Sequence, residues 1–356
     1  MDKLNDSATI CGGAFLCHKN DSATITKKVF CMATLKEVAE LTGVAPITVS
    51  RVVNNPETVK EKTRLKVEAA MKQLKYTPNI AAKSLATNRC GVIDVFIPET
   101  IELSNPFVMY FIAGISKVLS EHYYSFLILR NRKREHLCDG YIVTGLLKNE
   151  IQDFAQYAAE RDRPIALFGH SDIPEIDCLD VDNFAGAKCG VEHLIAQGHK
   201  KIAMVNVLED KDYTVDRLEG YRQALETHSL RYDPDLVLYT PNSVEGGELA
   251  ANEIIKKQNI SAVFCATDTI AIGMASRLKG LGYQIPNDIS LLGFDGLGHQ
   301  LLASPTITTI HQPIYELGMM LANALLERLN GRMEAVKRMM PPTLLPGQSD
   351  AHILSI

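Results

Sequence analysis

TLKEVAELTGVAPITVSRVVNN, residues 34–55, decides how the rest of the chain is read. Thr34 and Glu37 stand at capping-box spacing, so each satisfies a backbone donor at the start of a helix. Leu35, Val38 and Ala39 recur at i, i+3 and i+4 and give that helix one apolar face. Thr42-Gly43-Val44 interrupts it, with Gly43 free to take the left-handed backbone that a tight turn needs. Pro46 suits the first position of a second helix, where its missing N–H costs nothing. Val49, Val52 and Val53 turn that helix back toward the first, and its outward face keeps Ile47, Thr48, Ser50, Arg51 and Asn54. Two short helices joined by a three-residue turn make a helix-turn-helix, whose second helix fits a DNA major groove. The competing reading is any small helical hairpin.

The neighbouring sequence weighs against that plainer reading. Thr63, Val67, Ala70, Met71 and Leu74 have the spacing of a third helix able to cover the first two. Residues 32–90 hold 10 Lys and Arg against 5 Asp and Glu, whereas residues 91–356 hold 23 against 34. A basic head on an acidic body is the asymmetry of a nucleic-acid reader joined to something else.

Three stretches, TLKEVAELTGVAPITVSRVVNN, KTRLKVEAAMKQLKYTPN and NIAAKSLATNRCGVI, resemble the LacI/GalR bacterial transcription regulators. In that order and spacing they are far more specific than a lone helix-turn-helix, and the resemblance continues through almost all of 91–350. It implies an α/β two-subdomain periplasmic-binding-protein-like core with an N-terminal all-α helix-turn-helix domain. The chain would cross between the subdomains three times, and a ligand would lie in the cleft between them.

Composition agrees with a globular chain of two or three domains: 356 residues, 46% hydrophobic and 22% charged. No run of about 18 apolar residues is present to span a membrane. The eight cysteines show neither C-x-x-C pairs nor metal-like spacing with His, as expected of reduced thiols in a cytoplasmic protein. No cofactor or metal is expected.

Residues 1–31 are polar, repeat NDSATI at 5–10 and 20–25, and lack any helical or strand period. They read as a disordered extension, or as upstream sequence joined to a chain that begins at Met32. The helix-turn-helix domain is expected over 32–77. Within 78–90, Asn79 can cap a short helix over 80–86, with Ala81, Ala82 and Leu85 on one side. The residues alone favour a linker. The resemblance implies a paired hinge helix that pushes Leu85 between base steps of the minor groove.

From 91 to 350 apolar strands alternate with amphipathic helices, the pattern of parallel sheets covered on both faces. Strands are expected at 91–97, 125–129, 140–144, 164–168, 201–206, 262–266 and 289–294, and 351–356 form a tail. One departure stands out. Only residues 130–138 separate two strands where the family places a full helix, so either the second strand pairs differently or chain has been lost.

Arg51 can donate a bidentate pair to guanine O6 and N7. Pro46 and Ile47 occupy the positions where family members choose operators and offer only apolar contact to a thymine methyl group. Ala45 replaces the capping Ser common in the family. Thr48, Ser50 and Asn54 are placed as phosphate anchors, and Thr34 and Asn79 complete the expected DNA-binding set.

In the core, Phe107 follows a strand-end loop and could pack on a sugar ring. Thr267-Asp268 and Asp295 follow the C-terminal ends of apolar strands, where carboxylates serve ligand recognition, although helix capping explains Asp268 nearly as well. By resemblance Arg217, Thr267 and Asp295 match effector-contacting positions, with Phe107, His170, Asp182 and Gln312 matching less closely. No nucleotide-binding, zinc-protease or serine-hydrolase motif is present.

The sequence therefore predicts a homodimeric repressor of double-stranded DNA at a palindromic operator, controlled by a sugar-like effector. A sugar-collecting solute-binding protein is the leading alternative, and a sugar-modifying enzyme the second.

Overall fold

The computed structural model describes residues 33–54, 56–76, 89–133, 136–209 and 211–353. The expected extension 1–31 and the hinge segment, with Asn79 and Leu85, lie outside the described residues. The chain divides into two compact units, 1–79 and 80–356.

The first unit is helical: α1 (Leu35–Thr42), α2 (Pro46–Asn54) and α3 (Glu61–Gln73), with a 3-10 turn at Pro56–Thr58. Both halves of the capping box form, since Glu37 N–H donates to Thr34 Oγ1 at 3.3 Å and Thr34 N–H to Glu37 Oε2 at 2.5 Å. Gly43 closes α1 at φ 64°, as the turn requires. Val38, Ala39, Val49, Val52, Val67 and Ala70 bury together, each larger side chain contributing about 1.5–3 kcal/mol. Val53, expected to share this core, is only half-buried and stands outside the cluster. One residue round the helix from Val52, it points partly toward solvent.

The second unit holds two six-stranded sheets. The first, in order β11-β5-β4-β3-β1-β2, joins Lys337–Met340, Asp177–Val181, Ile165–Phe168, Gly140–Val143, Val92–Phe96 and Ser125–Leu129, all parallel. The second, in order β12-β10-β9-β8-β6-β7, joins Thr343–Leu345, Thr308–His311, Ser290–Asp295, Ala262–Cys265, Ile202–Val207 and Val237–Thr240. Its outer strand β12 runs antiparallel to β10, which corrects the expectation of purely parallel sheets. The chain reaches β12 directly from β11 of the first sheet through Pro341 and Pro342 alone, and runs along β10 in the opposite sense.

Helices α4 (Pro106–Glu121), α5 (Lys148–Ala159) and α10 (Ile314–Leu329) clothe the first sheet. Helices α6 (Asn183–Ala196), α7 (Asp212–Thr227), α8 (Val244–Ile254) and α9 (Asp268–Gly280) clothe the second. Chain passes from one subdomain to the other between β5 and α6, between β10 and α10, and between β11 and β12. That is the expected triple crossing. Strands β3, β6 and β8 are buried along their whole length, as strands covered on both faces must be. No helix among the described residues is long and apolar enough to cross a membrane.

The short connection resolves differently from one expectation. Strand β2 pairs in parallel with β1, Val92 opposite Ser125 through Phe96 opposite Leu129, and β3 takes the other side of β1. The alternative of a differently paired second strand is thus overturned. The return path needs about 16 Å along the strands and about 10 Å across them, well within the reach of an extended ten-residue link. No helix is required. Arg132 lies 5.5 Å over the Phe154 ring and 5.3 Å over that of Tyr157, and His136 pairs with buried Asp94 at 2.7 Å. Leu127 of β2 and Leu137 of the link itself stay exposed.

Candidate nucleic-acid interface and ligand cleft

On α2 the two faces of the helix separate cleanly. Val49 and Val52 anchor it to the head, while Pro46, Ile47 and Arg51 are exposed and Thr48 and Ser50 half-buried. Ile47, 63% exposed, stands one turn from Arg51, so a large apolar group and a guanidinium share one outward strip. A large exposed apolar side chain and a fork of five N–H donors thus stand side by side on the outward face of the helix. Thr34 is already engaged, because its hydroxyl donates to Glu37 and caps α1. Any phosphate contact there falls to the backbone at the helix start.

In the core, strand ends and helix starts from both subdomains meet around a cleft of about 320 Å³, including space open to solvent. Asn105 and Pro106 line it from the first subdomain, and Asn242, Asp268, Asp295 and His299 from the second. Lys148 of α5 and Asp212 of α7 pair at 3.0 Å, joining the two subdomains.

Arg217 is 4% exposed. It donates from Nε (3.0 Å) and Nη2 (2.8 Å) to Asn183 Oδ1 and from Nη1 to the Ala266 carbonyl (2.5 Å), with its guanidinium 3.7 Å over the Phe294 ring. Three of five donor sites are thereby used. Burial lowers its pKa, against the nearby Asp295, Tyr213 and other acidic groups that raise it. Asp268 accepts from Gly296 N–H at 2.8 Å and Thr309 Oγ1 at 2.5 Å. The cap of α9 belongs to Thr267, whose Oγ1 accepts from Ile270 N–H and donates to Asn242. Asp268 is therefore the first residue of α9 and not its cap. Asp295, held at φ 135°, accepts from Gln312 Nε2 at 2.7 Å and from Asp268 N–H at 3.4 Å. Such a backbone angle is costly for a residue with a side chain, and sites of this kind concentrate where ligands bind.

Burial holds both Asp268 and Asp295 well above the usual carboxylate range, and the charge of Asp268 pushes Asp295 up further. A carboxyl whose pKa is raised by folding stabilises the fold below its unfolded value, and that contribution disappears as pH rises through the folded value. The parent should thus lose stability between about pH 4 and pH 7. Asp295→Asn should be more stable than the parent at pH 8 and lose that advantage at pH 4. Urea midpoints of both proteins across that range check it; a constant difference refutes it.

The remaining expected residues are placed less centrally. Phe107 is half-buried, stacked on Phe111 at 5.7 Å and edge-on to Phe168 at 5.1 Å. His170 is exposed, pairs with Asp172 at 3.2 Å and lies outside the cleft lining. Asp182 caps α6 by accepting from Ala185 N–H at 2.8 Å. Asn183 and Asn242 went unnoticed in sequence. Each follows a strand that was not expected, β5 or β7, so nothing marked it as lying at a sheet's C-terminal edge. A D-N or N-S pair before a helical pattern was the available signal.

Residues 34–79 match the bacterial regulatory proteins of the lacI family, and residues 191–349 match the periplasmic binding protein-like domain. The HTH-type transcriptional regulator YvdE of Bacillus subtilis (strain 168) is 34% identical over 301 residues, 84% of this chain and 93% of its own length. The lac repressor dimer bound to operator and the anti-inducer ONPF superposes with a TM-score of 0.74 at 26% identity, covering 90% of this chain and 99% of that one. The complex of the regulator CelR with cellobiose gives 0.68 at 27%, covering 89% and 99%. A three-helix head with an exposed strip on its second helix, a two-subdomain core crossed three times and this likeness over most of the sequence lead to one conclusion: the chain belongs to the lacI family of bacterial regulatory proteins.

Proposed function

We propose that the protein is a homodimeric, cytoplasmic repressor that grips a palindromic operator through 32–77 and is released or tightened by a sugar-like effector in the core cleft. The exposed Ile47–Arg51 strip on a helix fixed from behind by buried valines carries the DNA reading. Arg51 reads a guanine, Pro46 and Ile47 meet a thymine methyl group, and Thr48, Ser50 and Asn54 set register on phosphates. The segment 78–90, with Asn79 and Leu85, forms the minor-groove element. Relatives support the assignments of partner, since one is bound to operator and another to cellobiose.

In the core, 91–350, Arg217, Asp268, Asp295, Asn183 and Asn242 form the polar floor for the effector. Phe107 and His170 act only at its margin. The two carboxyls recognise ligand hydroxyls and perform no turnover. A second copy fits the apolar strip of Met109, Tyr110, Leu301 and Leu302, all exposed, which runs from α4 to the turn at His299–Leu302.

Arg51→Ala should weaken binding to the selected operator by about 1–3 kcal/mol and relax one base position. Selection from a random duplex pool, followed by titration of both proteins at fixed salt, measures this. Equal loss on random DNA shows instead a phosphate contact.

A further inference from the structure

We infer that Arg89 is a positioning residue for operator recognition: its guanidinium clasps the C-terminal end of α10 and fixes the direction in which the chain leaves the core for the DNA-reading helices. This rests on the operator reading above. Arg89 is the first described residue after the hinge segment. Its Nη1 donates to Asn330 Oδ1 at 3.1 Å and its Nη2 to the Leu329 carbonyl, partners 241 and 240 residues away. Asn330 is the C-cap of α10, where the last carbonyls of a helix lack intrahelical donors and a positive charge is favoured. A planar fork of N–H groups answers a carbonyl and an amide oxygen lying side by side.

Two further elements of the first subdomain meet at the same point. Asp139, 2% exposed at the head of β3, accepts from Cys90 N–H and Gly91 N–H, each at 2.8 Å. Tyr124, just ahead of β2, lies beside the Arg89 guanidinium. The backbone bonds at 90 and 91 hold the chain in place but leave the preceding peptides free to turn about that point. The side chain of Arg89 is a second lever, and it removes that freedom. Its far end is anchored on an element that starts at the cleft. Gln312, just ahead of α10, donates to Asp295 at 2.7 Å, and the helix runs 16 residues, about 24 Å, from there to the clasp. One rod carries the cleft carboxyl at one end and the tether of the DNA-reading unit at the other.

The full-length parent, Asn330→Ala, Arg89→Ala, Arg89→Lys and the double alanine variant are titrated with the operator selected from a random duplex pool and with a duplex that lacks it, at several salt concentrations. Each alanine variant is expected to bind operator about 10-fold more weakly, and the double variant no more weakly than either, since both break one clasp. Asn330 carries no charge, so its variant should keep the parent's salt slope and its affinity for the other duplex. Arg89→Lys keeps the charge without the planar fork and should recover part of the loss. Parent-like operator affinity in Asn330→Ala overturns the inference, and so do losses that multiply to about 100-fold in the double variant. If Arg89→Ala alone weakens both duplexes alike, with a salt slope lower by about one, the residue touches phosphate instead. A fall in the core's urea midpoint that tracks the lost affinity marks a purely structural contact and overturns it as well. A pool that yields no bound duplex overturns the operator reading itself.

Discussion

Replacing Arg217 by leucine is expected to abolish the response to effector and to lower stability by about 3–5 kcal/mol. The side chain is 4% exposed and its donors hold Asn183 and the Ala266 carbonyl. Leucine leaves both acceptors without a donor in a site closed to water, and each such loss is costly. It also removes the positive charge that offsets Asp268 and Asp295, so the pair binds protons more readily and the pH dependence steepens. Operator affinity without effector should stay close to that of the parent, because α1, α2 and α3 form a unit with its own core. Urea unfolding of the core and operator titration with and without sugar measure the two effects. A variant with the parent's midpoint that still responds to sugar removes Arg217 from the site.

Gly114→Leu should cost about 3 kcal/mol or more, at the upper end of overpacking effects. A Cβ at Gly114 on α4 would sit 2.1 Å from the Tyr315 carbonyl oxygen on α10, and one at Gly318 on α10 would sit 2.5 Å from the Phe111 carbonyl oxygen on α4. The two helices touch backbone to backbone, so nothing flexible can yield. Either they separate and open the core around Phe111, Ile115 and Leu321, or the first subdomain fails to fold. At this size the melting temperature should fall by roughly 6–12 °C. Calorimetry measures it, and Gly114→Ala should give a smaller loss of the same sign. An unchanged transition would mean that the crossing is looser than the backbone geometry implies.

The head was legible almost residue by residue, because a capping box, a turn glycine and an apolar period are local signals. Thr34, Gly43, Val49 and Val52 do what their spacing implies. The core's strands were legible where burial on both faces made continuous apolar runs, as in β1, β3, β6, β8 and β9. Strands β7, β11 and β12 were missed because four residues or fewer at a sheet edge, such as KRMM with three exposed positions, carry no period. Asp177–Val181 was missed for another reason: its alternating aspartates read as a polar loop. Asp177 is fully buried against Arg332 at 2.8 Å, a pairing of residues 155 apart that no window could reveal. Asp268 and Asp295 could be named from strand ends and Arg217 only from the family resemblance, but their joint geometry depends on contacts over 27 to 49 residues.

Very little chain spans the seam between the subdomains: Asp182 alone on the first pass, Gln312 and Pro313 on the second, Pro341 and Pro342 on the third. Links of one or two residues reach only about 7 Å at full stretch, and three of these five residues are prolines with φ fixed. Sliding the lobes apart would tear all three straps at once, whereas twisting them about a shared axis asks only small torsional adjustments of each. The molecule is thereby left with a single cheap coordinate, and whatever occupies it is reported at a distance as an angle.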